Sequence, residues 1–116
     1  MQLTVSSPQI WIADQAVDFR LSIDGLSEVI HAQFQRNPRE GVYVFYNRNR
    51  NKLKILAWHG NGFVLLLKRL ERGRFTVTSS GKGCAELTEK SLSWLLAGLD
   101  WLAMSNWKTL TYENYY

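Results

Sequence analysis

The 116-residue chain is 46% hydrophobic, 13% aromatic and 21% charged, and it has a formal net charge of +4 at pH 7. This composition is typical of one folded domain and excludes a disordered chain, which would have fewer aromatic residues and a larger net charge. The longest apolar run, residues 63–67, is far shorter than the roughly 20 residues of a membrane-spanning helix.

The beginning of the chain and its cysteine content favour a cytoplasmic protein without a membrane partner. The first residues lack the basic start and the apolar segment of a signal peptide. Cys84 is the single cysteine, so the chain can form no internal disulfide and no cysteine-based zinc site.

The first half of the chain predicts a short strand followed by a helix. Residues 9–12 are expected to form the strand, and residues 22–36 the helix. Ser22 is a candidate N-cap, and Pro38 prevents the helix from continuing because it lacks a backbone N–H. One buried stripe at helical spacing is predicted to contain Ile23, Leu26, Val29, Ile30 and Phe34.

The period then changes from helical to extended. Residues 42–46, 52–58, 63–71 and 74–77 are rich in β-branched and aromatic side chains or alternate between polar and apolar ones. The short connectors between them contain asparagine and glycine, which favour tight turns. These four segments predict an antiparallel β-meander.

The last part of the chain predicts a flexible link and a second helix. Residues 79–83 lack the spacing of a phosphate-binding Walker loop. Thr88 is the expected N-cap of a helix whose apolar stripe contains Leu92, Leu95, Leu96 and Leu99. We therefore predict an α+β fold, an antiparallel sheet of four to five strands with two amphipathic helices packed on one face of it. Residues 1–105 are expected to form the single domain and residues 106–116 an aromatic C-terminal tail.

The charge is concentrated in the middle of the chain. Residues 36–74 contain ten basic and two acidic residues, a net charge of +8, whereas the remainder carries −4. Such a region attracts polyanions, although a solvated sheet face protected against aggregation gives the same pattern. Five aromatic residues are interleaved with these charges: Tyr43, Phe45, Tyr46, Trp58 and Phe63. Their rings could stack on bases, although aromatic residues at strand spacing are also typical of a core.

The sequence offers no convincing catalytic site. His31 and His59 have no second histidine or cysteine at metal-ligand spacing, so we expect neither a metal nor another cofactor. A metal-dependent nuclease would need clustered carboxylates, for which the candidates are Asp14, Asp18 and Asp24. Asp18 is better explained as an ion partner of Arg20, and Cys84 as an inert small residue. We therefore expect a protein that is not an enzyme.

Several ordered motifs resemble a known family. The central ones are residues 41–48, 54–58, 60–63 and 68–75, of which the run from Lys68 to Phe75 is the most specific. Residues 18–20 and 23–26 resemble the family's opening motif, and residues 95–101 its closing helix. Together, over about residues 10–101, they resemble the accessory protein of the TnpB type, encoded by the second open reading frame of insertion-sequence-66 transposable elements. The resemblance implies an accessory role in transposition, beside a separate transposase.

These observations lead to one functional hypothesis and one alternative. The hypothesis is a non-catalytic accessory factor that associates with DNA, with the transposase of the same element as a further partner. The alternative is a protein-interaction or self-associating subunit without direct DNA contact, which would use exposed aromatic residues and the segment 107–116. Glu71 is expected to pair with Arg69 or with a cross-strand lysine. The predicted DNA-contacting residues are Arg48, Arg50, Lys52, Lys54, Lys68, Arg72 and Arg74.

Overall fold

The computed structural model describes residues 9–77 and 81–98, which form one five-stranded sheet and two helices. The strands lie in the spatial order β4-β3-β2-β1-β5. The predicted α+β class is confirmed. In chain order the elements are β1 (Ile10–Ala13), α1 (Ile23–Val29) with a π-helical continuation (Ile30–Phe34), β2 (Val42–Tyr46), β3 (Lys52–His59), β4 (Gly62–Arg69), β5 (Cys84–Leu87) and α2 (Glu89–Leu96).

The central part of the sheet is the predicted meander. β2 pairs antiparallel with β3, and β3 pairs antiparallel with β4 in an uninterrupted register from Lys52–Arg69 to His59–Gly62. β1 extends the sheet on the other side of β2 and runs parallel to it, with the helical segment as the crossover. β5 then pairs antiparallel with β1 and forms the second edge.

The strand expected at residues 74–77 is absent from the sheet, and the fifth strand is β5 instead. The Phe75 side chain is only 1% exposed, and its backbone N–H donates to the Arg50 carbonyl at 2.6 Å. The alternation of polar and apolar residues here therefore reflects a loop that buries one aromatic side chain. Periodicity does not distinguish that arrangement from a strand.

The two helices cover opposite faces of the sheet, whereas we expected them on one face. The Phe34 ring lies 5.7 Å from that of Phe45 and 5.9 Å from that of Tyr43, which places α1 on their face. Helix α2 lies over the other face, where Leu92 lines a cavity together with Ile10. Four consecutive residues of β2, from Tyr43 to Tyr46, are buried, so both faces of this strand require a cover.

The start of α2 follows its local sequence signal, whereas the predicted cap of α1 is not formed. The Thr88 hydroxyl accepts a hydrogen bond from the Ser91 backbone N–H at 3.0 Å, which confirms the predicted cap of α2. Ser22 occupies the N-cap position of α1, but its side chain makes no capping hydrogen bond. The π-helical continuation is capped at its C-terminal end by Gln35, whose φ of 56° is left-handed.

No helix among the described residues is long and apolar enough to cross a membrane.

Two predictions concern parts of the chain that lie outside the described residues. These are Leu99 as the last member of the α2 stripe and the aromatic tail at residues 106–116. The three earlier members of the stripe are placed as expected, with Leu95 fully buried and Leu92 and Leu96 packed against the core.

Candidate nucleic-acid interface

Two chain segments rich in arginine and lysine meet at one corner of the sheet. The turn between β2 and β3 lies beside the end of β4, because Lys52 at the start of β3 pairs with Arg69 at the end of β4. The Leu70 backbone N–H donates to the Asn51 carbonyl at 2.8 Å and extends this contact beyond the strands. We call this region the basic corner and define it by Arg48, Arg50, Lys52, Lys68, Arg69, Arg72 and Arg74.

The β2–β3 turn is fixed by asparagine side chains. The Asn47 side-chain oxygen accepts hydrogen bonds from the backbone N–H groups of Asn51 and Lys52, both at 3.0 Å. Its side-chain nitrogen donates to the Asn51 side-chain oxygen at 2.6 Å. Arg48 and Arg50 are exposed on this turn, and Arg50 adopts a left-handed φ of 58°. The turn therefore presents two cations on a backbone that local hydrogen bonds hold in place.

The loop after β4 is attached to the same turn. Phe75 buries its ring and donates its backbone N–H to Arg50, so the loop closes against the turn. Gly73 supplies a left-handed φ of 76° within the loop. Arg72 and Arg74 flank this glycine and are exposed. The buried phenylalanine thus holds two further arginines beside the turn.

The remaining cations of the basic corner lie on the strands. Lys52 and Arg69 share the α1 face, whereas Lys68 lies on the α2 face opposite Leu53. Arg69 donates to the Glu71 carboxylate at 3.0 Å. This pair is one of the two that the sequence predicts for Glu71. Because both side chains are exposed to solvent, the pair contributes little to stability, but it reduces the local positive charge.

Lys54 does not belong to the basic corner, although it was predicted as a contact residue. Its ammonium group donates to the backbone carbonyls of Phe19 and Leu21 at 2.9 and 2.8 Å, and lies 4.9 Å from the Phe19 ring centre. These contacts hold the segment before α1 against the sheet. The other six predicted residues are brought together, and Arg69 joins them.

Two contacts at the opposite end of the sheet have no counterpart among the sequence-based predictions. There, Arg36 stacks on Trp11 at 3.9 Å and Arg39 on Trp58 at 4.5 Å from the respective ring centres. Such stacking is a recognised arrangement of arginine on an aromatic face. The basic middle of the sequence is therefore divided between two ends of the molecule.

The interleaved aromatic residues are committed to packing. Tyr43, Phe45 and Tyr46 are buried in the core. Trp58 and Phe63 pack edge to face, with ring centres 5.0 Å apart. These five rings therefore offer no ready stacking surface for bases at the basic corner.

The candidate carboxylates have separate structural roles. Asp18 forms an ion pair with Arg20 at 2.6 Å. Hydrogen bonds from the side chain and the backbone N–H of Arg20 lower the pKa of Asp18 from its ordinary value of 3.8 to about 2. The buried Asp14 accepts a hydrogen bond from the Gly81 backbone at 2.8 Å. Asp24 lies in the first turn of α1. Within residues 9–77 and 81–98, no group of three or more metal-ligating side chains is assembled.

The surroundings of the Cys84 thiol disfavour its ionised form. Cys84 begins β5 and is half-buried. Burial raises the pKa of its thiol, which disfavours the reactive thiolate.

The chain is similar to a known protein family and to two bacterial relatives. A family model described as IS66 Orf2 like protein matches residues 8–106. Two proteins of Sinorhizobium fredii, both described as uncharacterized and called y4hO and y4jC, are 35% and 33% identical to the chain over 94 residues. The alignments cover 80% of this chain and 82% and 80% of the two relatives. No solved structure matches the chain significantly.

Proposed function

The chain belongs to the IS66 Orf2-like family, and on that premise we propose that it is a transposition accessory factor that holds DNA at the basic corner. Family membership suggests the association with transposition. The observation that supports DNA contact is the meeting of the β2–β3 turn with the loop after β4. Residues 47–52 and 68–75, which include the adjoining strand ends, contain seven cations and one acidic residue, Glu71.

The chemistry of this surface suits phosphate groups. Arginine presents a planar fork of N–H donors to phosphate oxygens, and lysine presents a compact charge. Each neutralised phosphate releases condensed counterions, so binding of this kind weakens steeply with salt. Arg48, Arg50, Arg72 and Arg74 are exposed on hydrogen-bonded loops, which limits the conformational entropy that binding must remove.

The same chemistry predicts modest sequence preference. Phosphate contacts orient a protein on a duplex but carry no direct information about the bases. Reading of bases would require a helix or strand that enters a groove, or exposed rings that stack. The basic corner consists of a turn, a loop and strand ends. We therefore infer a positioning role, with the choice of site supplied by another component such as the transposase.

Salt-dependent binding to a short duplex tests the proposal. The variant Lys68→Ala/Arg72→Ala/Arg74→Ala is expected to bind more weakly than the unmodified protein. Its plot of log affinity against log salt should be shallower by about 2.7, which corresponds to three lost phosphate contacts. A thermal unfolding curve like that of the unmodified protein would show that the variant remains folded. No duplex binding by the unmodified protein at low salt would contradict the proposal.

The alternative function is a protein-interaction subunit without direct DNA contact. Its support is the exposure of three large apolar side chains on β4: Val64, Leu66 and Leu67. Exposed apolar surface of this kind is typical of sites that bind other proteins. The alternative therefore predicts that substitutions on β4, rather than at the basic corner, abolish association with the transposase.

A further inference from the structure

Strand β4 is an edge strand whose charged side chains, Lys68 and Arg69, lie only at its C-terminal end. It has eight residues and pairs with β3 along its whole length without a bulge. The side of β4 that faces away from β3 has no neighbouring strand in the described sheet. Soluble proteins commonly protect long edges with proline, bulges or charged side chains, and the stretch from Gly62 to Leu67 has none of these.

The side chains of this edge are apolar on both faces. The large hydrophobic side chains exposed among the described residues are Val64 at 41%, Leu66 at 57% and Leu67 at 62%. Val64 and Leu66 lie on the α2 face, whereas Leu67 lies on the α1 face. Single exposed hydrophobic side chains are common, but three within four residues of one edge strand are a concentrated apolar patch. A patch that covers both faces of an edge suits an added strand, which would contact both.

We propose that a second copy of this chain pairs with β4, antiparallel and centred on Leu65. The apolar run from Phe63 to Leu67 is symmetric about Leu65, and an antiparallel pair about a twofold axis matches each residue with one at equal distance from the centre. Val64 then faces Leu66 of the partner subunit, and Phe63 faces Leu67 of the partner subunit. Every apolar residue of the run gains an apolar neighbour on its own face.

The charges on β4 favour the antiparallel arrangement. Lys68 and Arg69 lie at one end of the strand, and the uncharged Gly62 lies at the other. Parallel pairing would place the two basic corners side by side, where like charges repel. In the proposed register Lys68 faces Gly62 of the partner subunit, which has no side chain to hinder it. The edge is therefore self-complementary in hydrophobicity, and the antiparallel arrangement keeps its like charges apart.

This association uses the outer edge of β4, which adjoins the basic corner and shares Lys68 and Arg69 with it. It joins the five-stranded sheets of the two subunits into one continuous sheet of ten strands. Because the strands are antiparallel, the two basic corners lie at opposite ends of the dimer. A dimer could then hold two DNA segments, but the pairing of β4 does not depend on DNA binding.

The mass of the full chain in solution tests the proposal. Sedimentation across a range of concentrations should give twice the mass of one chain for the unmodified protein. Leu66→Lys should raise the dissociation constant of the dimer at least about tenfold, since it places a charge in an apolar contact. Ala32→Lys is the matched control, because it adds the same charge at an exposed position of the helical segment. This control should remain dimeric.

Disulfide formation tests the register separately. In a Cys84→Ser background, Leu65→Cys should form a disulfide between two copies on oxidation, because the two residues face each other at the centre. Leu67→Cys should not, since its expected neighbour is Phe63 of the partner subunit. A monomer at all concentrations, association unaffected by Leu66→Lys, or linkage through Leu67→Cys alone would each overturn the proposal. Because none of these measurements includes DNA, their failure would leave the proposed DNA contact untouched.

Discussion

The ammonium group of Lys54 lies 2.9 Å from the carbonyl oxygen of Phe19 and 4.9 Å from the centre of the same residue's ring. A second hydrogen bond reaches the Leu21 carbonyl at 2.8 Å. One side chain of β3 therefore holds the segment that leads into α1. Its charge serves the packing of the domain, whereas Lys52, two residues earlier on the same face, lies at the basic corner.

Replacing each of these two lysines by methionine should separate the effect on stability from the effect on DNA binding. Lys54→Met removes two charge-assisted hydrogen bonds, so the free energy of unfolding should fall by about 1–3 kcal/mol. Lys52→Met is the control on the same strand and face, and should leave that energy within about 0.5 kcal/mol. Urea unfolding measures both, and duplex binding should weaken more for Lys52→Met. Equal stability of the two variants would contradict the structural role of Lys54.

The backbone of Gly83 closely approaches the helical segment. A side-chain carbon at this position would lie 2.6 Å from the Gln33 carbonyl oxygen, and the φ of +90° is itself unfavourable for other residues. Gly83→Ala should therefore lower the free energy of unfolding by about 3 kcal/mol. Gly60→Ala is the control, because a side chain there meets nothing within 4 Å and only the φ of +62° opposes it. Its loss should be about 1 kcal/mol, and similar losses for both variants would argue against the close approach.

The cap of α2 gives a third prediction. Thr88→Ala removes the acceptor of the Ser91 N–H, and should lower the free energy of unfolding by about 1 kcal/mol. Thr88→Ser keeps the hydroxyl and should retain most of that stability. Thermal unfolding of the two variants measures the difference, and an alanine variant as stable as the serine variant would show that the cap is unimportant.

The Asp18–Arg20 pair predicts a dependence on pH. The folded-state pKa of Asp18 is lowered to about 2, so the pair's contribution is full above the ordinary value of 3.8 and is lost as pH falls towards 2. The pair is exposed, so its effect on global stability is small. An NMR titration of the Asp18 carboxyl should have its midpoint near 2, and Arg20→Gln should move it back towards 3.8. A midpoint that Arg20→Gln leaves unchanged would contradict the assigned cause.

The elements with strong local signals were predictable from the sequence. Leu26, Ile30 and Phe34 recur at helical spacing, and all three are buried. The meander from β2 to β4 follows from extended segments joined by short turns, because neighbouring strands with short connections pair with each other. Thr88 marks the start of α2 because a threonine before a helical stripe satisfies a free backbone N–H.

The remaining features depend on contacts between distant parts of the chain. β1 has four residues, and nothing in so short a segment specifies that it runs parallel to β2. Phe75 alternates with polar residues as in a strand, but its ring fills a buried position next to the turn. Likewise, its charge predicts Lys54 as a DNA contact, because charge alone does not reveal a carbonyl partner 35 positions away.

DNA binding at the basic corner is tested most directly by comparing two double variants with the same loss of charge. Arg72→Ala/Arg74→Ala removes two cations from the basic corner, and Arg39→Ala/Lys90→Ala removes two from the opposite end of the sheet. At about 0.1 M salt the first variant should bind duplex DNA at least about tenfold more weakly, with a salt slope reduced by about 1.8. The second should stay within about twofold of the unmodified protein, since distant exposed charges are screened. Equal weakening of both variants would show that binding depends on net charge, and would contradict the basic corner as the DNA-contacting surface.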